Sequence, residues 1–293
     1  MNNKKTQRRI NEGIGRRAFV VLNYILLALI AVIMLIPYFK AIAESLSSKS
    51  FVERGEVYLW PKGLNFNAYI TLLSNKDMLS AFNNSVFITV VGTAINLVMT
   101  STLAYATSRK EFAWTGFVLK MVLITMIVTV PMMPNYLYIR SLGLDNTLWA
   151  VIIPGAISAY NFFVMRTSFL SIPDTLIEAA RIDGCTEWRI LIQIVLPVSL
   201  PSFVTVGLFY GVGHWNSLQG PLIYLRDMST LQMKVYSMLS DSGVDALENV
   251  NMIAASQSTR MAAIIITTLP IMMVYPFLQK YFVKGATLGS IKE

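Results

Sequence analysis

The chain has 293 residues, 55% hydrophobic and only 14% charged, with a formal net charge of +8. Soluble chains average about 25% charged residues, so an ordinary soluble domain is excluded. Apolar runs of about 20 residues point to membrane helices and away from a barrel. With six spans and the N-terminus inside, the cytoplasmic side carries 15 Lys/Arg against 7 Asp/Glu and the external side 9 against 9. The excess is therefore a positive-inside topology signal, and no nucleic-acid partner is expected.

In chain order, residues 1–17 form a basic cytoplasmic tail with Lys4, Lys5, Arg8, Arg9, Arg16 and Arg17. The apolar run that follows is too long for the core of a signal peptide and lacks a small-x-small exit, so an uncleaved first span is expected at about 18–43. It leaves the membrane near Pro37–Lys40, within a region 18–80 completed by an external segment. That segment holds Trp60-Pro61-Lys62-Gly63, a turn, and Asn67–Leu73, a short interfacial helix. The transmembrane core is expected over 81–283.

Its second span, about 82–107, starts with Asn83-Asn84-Ser85 and carries the small residues Gly92, Thr93, Ala94 and Ala104, which let membrane helices approach closely. The third, about 118–138, contains Pro131 and Pro134; the fourth, about 147–170, is interrupted at Pro154-Gly155. A fifth at about 202–225 holds a Gly207/Gly211 pair suited to packing, and a sixth is expected at about 261–283. External residues 226–257 include Asp241, Asp245 and Glu248, and a polar tail, 284–293, closes the chain. Both termini are expected in the cytoplasm.

Between the fourth and fifth spans, residues 171–197 form the one sizeable polar interruption. Ser171-Ile172-Pro173-Asp174 reads as a helix start with a capping side chain and an early proline. Asp174 and Glu178 put negative charge toward the helix N-terminus, Gly184 suits the left-handed residue that ends the helix, and Thr186 can cap a second helix to Leu196. Two short helices at a glycine elbow are the expected result. Ala179 and Ala180 leave little bulk for an approaching partner, and Glu178, Arg181 and Asp183 supply charge around the contact.

Glu178-Ala179-Ala180, three residues, Gly184, nine residues, Ile194, one residue and Leu196-Pro197 resemble the EAA loop of membrane subunits in binding-protein-dependent ABC importers. Asn84-Ser85 with Leu103-Ala104-Tyr105-Ala106, Arg166 before Ile172-Pro173, and the ending Phe282-Val283-Lys284-Gly285 resemble the carbohydrate-uptake branch, in particular a smaller, maltose-permease-like subunit or one of the alginate type. The resemblance implies an all-α polytopic bundle of six transmembrane helices in the inner membrane, with a cytoplasmic coupling helix in the loop. It implies that Glu178, Ala179, Ala180, Arg181, Asp183 and Gly184 contact a cytoplasmic ATPase dimer, which binds the ATP and Mg; no cofactor is expected on this chain. It further implies a second homologous membrane subunit, an external or periplasmic solute-binding protein, and an oligosaccharide substrate.

Polar and aromatic groups inside spans are costly unless partnered or functional, so Asn96, Asn161, Tyr210, His214, Trp215 and Asn216 are candidates for the substrate path and equally for helix–helix bonding. An ion-driven secondary transporter is the alternative, but it needs ionisable groups in mid-span, and essentially none are present. The chain contains no Walker A sequence and no HExxH, and its single cysteine, Cys185, and single histidine, His214, lack metal-ligand spacing, so no catalysis and no metal are expected.

Overall fold

The computed structural model describes the backbone of residues 14–240 and 256–289 and the side chains of 15–240 and 256–276. The basic residues of 1–13, the acidic residues 241–248 and the tail end 290–293 fall outside the described residues. The chain divides into two compact units, residues 1–69 with 255–265 and residues 70–254 with 266–293. Among the described residues the regular structure is helical, with one isolated bridge between Ser47 and Leu64.

In the first unit, α1 (Ile14–Ser45) is a helix of 32 residues whose most apolar window has a mean hydropathy of 3.0 and no buried residue. A side-chain surface exposed and apolar all round is what lipid solvates. The helix runs through Pro37, which was expected to mark its exit, and ends where Ala43, Glu44 and Ser45 become buried. Ser45 shares a 2.8 Å hydrogen bond with Tyr69, and α2 (Lys49–Glu53) packs Val52 with Ala43 and Val57.

The second unit is organised on α4 (Lys76–Ser108), which α3 (Asn67–Ser74) precedes and Asn75 caps by accepting from the backbone N–H groups of Asp77 and Met78. Its buried stripe is Ala81, Ser85, Ile88, Gly92, Asn96, Thr100 and Ala104, at helical spacing, while Leu79, Phe87, Val90, Val98 and Met99 are exposed. This is the membrane pattern, with small and polar groups packed inward and large apolar groups outward. Against that stripe pack α8 (Ala159–Leu170) and α12 (Leu200–Trp215). The expected small-residue contact is present: a Cβ on Gly207 would lie 3.3 Å from Leu97, and one on Gly211 would lie 3.6 Å from Thr93 Oγ1.

Three of the described helices are long and apolar enough to cross a membrane, and two bent pairs bring the total to five. The expected third span is two helices, α5 (Thr115–Ile127) and α6 (Met132–Ser141), separated where Pro131 supplies no backbone N–H. At 1.5 Å per residue the 13 residues of α5 reach only about 20 Å. The fourth span is broken as expected: α7 (Trp149–Ile152) continues as a 3-10 turn through Pro154 and Gly155, then meets α8 at 50°.

The fifth differs from its expected bounds of 202–225. The apolar helical stretch starts earlier, as α10 (Glu187–Ile190), a π-helical turn over Leu191–Val195 and α11 (Leu196–Val198), and meets α12 at 89° around Ser199-Leu200-Pro201, the geometry of a broken span or a re-entrant loop. Past α12 the chain turns at Asn216 into the short α13 (Gln219–Tyr224), followed by α14 (Leu231–Ser240). The last helix, α15 (Gln257–Gly289), continues through the start of the expected tail.

Candidate functional site

The polar interruption folds as two helices at an elbow. α9 (Asp174–Ile182) begins after Pro173, but no side chain caps it; Ser171 instead donates its hydroxyl to Ser168 O, closing α8, and Thr186 likewise makes no capping bond. The expected capping role of both residues is corrected, since Ser171 belongs to the end of the preceding helix. At the C-terminus, Gly184 N–H donates to Arg181 O and Cys185 N–H to Ala180 O, both at 3.0 Å. This is a Schellman closure, and it requires the left-handed φ of +78° that Gly184 adopts.

α9 is amphipathic. Ile177 and Ala180 are buried in a core with Tyr105, Phe162, Met165, Phe169, Ile190 and Val195, whereas Glu178, Ala179, Ile182 and Asp183 face outward. Ala180 is only 6% exposed and packs against this chain's own bundle. Ile182 is 87% exposed and Trp188, across the elbow, 64%. Among the described residues the side chains of Glu178 and Asp183 make no hydrogen bond or salt bridge, while the Asp183 backbone N–H donates to Ala179 O.

Arg181 is engaged differently. Its Nε donates to Glu187 Oε1 at 2.8 Å and its Nη1 to Glu111 Oε1 at 2.5 Å, while Tyr105 at the end of α4 donates its hydroxyl to Glu187 Oε2. Lys110 Nζ donates to Asp174 Oδ2 at 2.7 Å, and the buried Arg109 reaches Phe169 O at 3.0 Å with its guanidinium over the Tyr105 ring. The Lys110 bond holds the Asp174 carboxyl below the usual carboxylate range, and Arg181 does the same for Glu111; both cations are correspondingly raised. The elbow is thus tied to the segment that follows α4. Tyr105, Arg109, Glu111 and Glu187 were not expected from sequence to be part of this site. The charged run Arg109-Lys110-Glu111 at the end of a span is the signal that was available.

The second candidate set lies inside the bundle. Asn96 Nδ2 donates to Gly155 O at 3.3 Å and lies 3.1 Å from His214 Nε2. Tyr210 Oη accepts from Ser158 N–H at 2.9 Å and shares a 2.7 Å bond with Thr100. Both contacts satisfy backbone groups freed at the break between α7 and α8, so α4 and α12 supply the partners that the interrupted helix lacks. Trp215 donates Nε1–H to Thr267 O at 3.0 Å and meets Phe82 edge-on. Asn161 is buried on α8, and Asn216 is exposed at the end of α12. Asn96, Tyr210 and His214 therefore come together; Trp215, Asn161 and Asn216 do not join them. Among the described residues no group of three or more His, Cys, Asp or Glu is placed to hold a metal.

Residues 101–287 match the family described as binding-protein-dependent transport system inner membrane component. Two proteins of Bacillus subtilis (strain 168) are each 36% identical over 283 residues. For Protein LplC the alignment covers 94% of this chain and 95% of the relative. For the polygalacturonan/rhamnogalacturonan transport system permease protein YtcP it covers 94% and 99%. A crystal structure of a bacterial ABC transporter involved in the import of the acidic polysaccharide alginate contains a chain that superposes with a TM-score of 0.84 at 29% identity, covering 92% of this chain and 99% of that one. With its all-helical membrane core, its glycine elbow and a family match over most of its length, the chain belongs to the inner membrane components of binding-protein-dependent transport systems.

Proposed function

We propose that this chain is a permease subunit of an ATP-driven importer, forms half of the path of an acidic oligosaccharide, and is driven through the α9–α10 elbow by a separate ATPase subunit. The observation that carries the reading is the elbow itself: a Schellman-closed turn that presents exposed Ile182 with the outward-facing Glu178 and Asp183. Ile182 and Trp188, one on each side of the elbow, are both large, apolar and exposed on a segment too polar for lipid, and apolar surface of this kind supports a protein contact. The acidic substrate is supported by relatives that carry polygalacturonan or alginate. Both are polymers of sugar acids.

On this reading a second membrane subunit completes the path, a solute-binding protein delivers substrate outside, and ATP with Mg sits on an ATPase dimer inside. Both termini lie on the ATPase side. The test is co-expression with the neighbouring ATPase and membrane subunits, purification of the complex, and ATP hydrolysis with and without Glu178→Lys. Charge reversal is expected to cost at least about tenfold in co-purified ATPase subunit or in stimulated hydrolysis, as for a buried interface charge. A complex that assembles and hydrolyses normally with this substitution refutes the proposal.

A further inference from the structure

The outward residues of the elbow and Arg181 divide into two sets with different physical situations. Glu178, Ala179, Ile182 and Asp183 face out, and among the described residues neither carboxylate makes a side-chain hydrogen bond or salt bridge. Arg181 is only 31% exposed, and two nitrogens of its guanidinium are engaged within the chain, Nε by Glu187 and Nη1 by Glu111. Glu187 spends its other oxygen on Tyr105. The linkage therefore runs from the last turn of α4 through Glu187 and Arg181 back to Glu111, just beyond the end of α4, and it closes on itself.

We propose that Arg181 is a positioning residue: a strut that passes movement of the elbow to α4, not a contact for the ATPase subunit. The inference rests on the coupling role proposed for the elbow. The apolar face of α9 near the elbow is Ile177 and Ala180, and alanine makes a low ridge that resists sliding or axial rotation poorly. Two attachment points from one planar fork, directed at carboxylates on different segments, fix that rotation. Exposed ion pairs add little to stability, so the loss expected on removing the strut is one of coupling and not of assembly. Further along, α4 carries Asn96, which donates to Gly155 O at the break between α7 and α8, and Thr100, which bonds the Tyr210 hydroxyl that accepts from Ser158 N–H. A shift of α4 thus reaches the middle of the bundle.

The test uses the complete transporter with Arg181→Gln, Glu111→Gln and the double variant. It reads co-purified ATPase subunit, basal hydrolysis, and the ratio of hydrolysis with binding protein and substrate to basal. Both single variants are expected to retain the ATPase subunit and basal rate, each to lower the stimulation ratio about 3- to 10-fold, and the double variant to be no worse than the worse single. Loss of the ATPase subunit with Arg181→Gln, alone or together with Glu111→Gln, overturns the proposal. So does an unchanged ratio in both singles, or effects that multiply in the double. Glu111 is largely exposed, so its variant keeps the test informative if Arg181→Gln folds poorly. Failure of the unsubstituted complex to hold an ATPase subunit refutes the coupling role itself and is seen before any variant is compared.

Discussion

Replacing Tyr210 with Phe removes one oxygen from the buried junction of α4, α8 and α12. That oxygen accepts from Ser158 N–H and shares a bond with Thr100. Thr100 can turn its hydroxyl to the carbonyl one turn back on α4, as threonines in helices commonly do. Ser158 N–H has no such recourse, because it lies at the start of α8 where no preceding turn supplies an acceptor. An unsatisfied buried donor costs about 1–3 kcal/mol, and interhelical bonds in membranes average about 0.6 kcal/mol with a maximum near 1.7. Tyr210→Phe is therefore expected to destabilise by about 1–2 kcal/mol, and Thr100→Val by less than about 1 kcal/mol. Unfolding of the detergent-solubilised complex in increasing dodecyl sulfate, followed by tryptophan fluorescence, measures both. Equal losses, or a larger one for Thr100→Val, refute the assignment of Ser158 N–H as the critical partner. Unchanged stability with weakened transport makes Tyr210 a substrate contact instead.

A Cβ at Gly92 would lie 2.7 Å from His214 Nε2 and 3.0 Å from two ring carbons. Gly92→Ala is expected to cost about 1–3 kcal/mol by overpacking, and combining it with His214→Ala should recover part of that loss in the same unfolding assay; strict additivity counts against the contact. The Glu111 and Asp174 carboxyls are held below their usual values, so the stability they contribute is present above about pH 4 and is lost as pH falls through their lowered folded values. The difference in unfolding between the wild type and Glu111→Gln should stay level from pH 7 to about pH 5 and close only below about pH 4. Closure near pH 6 contradicts the Arg181 pairing.

The elbow was legible because its punctuation is local. Pro173, Gly184 and Pro197 each restrict their own backbone, and the amphipathic residues between them need no knowledge of the rest of the chain. The direction of Arg181 was not legible, since its partner Glu111 stands 70 residues away and only the packing of α9 beside the end of α4 brings them together. The same limit applied to the spans. Hydropathy located the apolar runs, but it carries no sign of the 89° bend at Ser199–Pro201 or of the turn at Asn216, which packing against α4 and α8 decides. The burial of Ala180 within the chain's own bundle was likewise not legible from its place in the motif.

The buried polar residues gain a single explanation once the break at 156–158 is considered. A broken helix in a membrane frees backbone groups that lipid cannot satisfy, and each costs several kcal/mol if left alone. Asn96 and Tyr210 sit where those groups emerge, with His214 and Thr100 as their neighbours. Their polarity is thus matched to the break, which in turn explains why such costly side chains stand in the middle of α4 and α12. The Asn96 amide nitrogen and the Tyr210 hydroxyl, committed to Gly155 O and Ser158 N–H, are not free to bind sugar hydroxyls without undoing the bend. Contacts that this chain makes to a substrate are accordingly sought on faces turned away from its own bundle, where exposed Asn216 ends α12. That is the arrangement expected on the proposed reading, in which a second subunit completes the wall of the path.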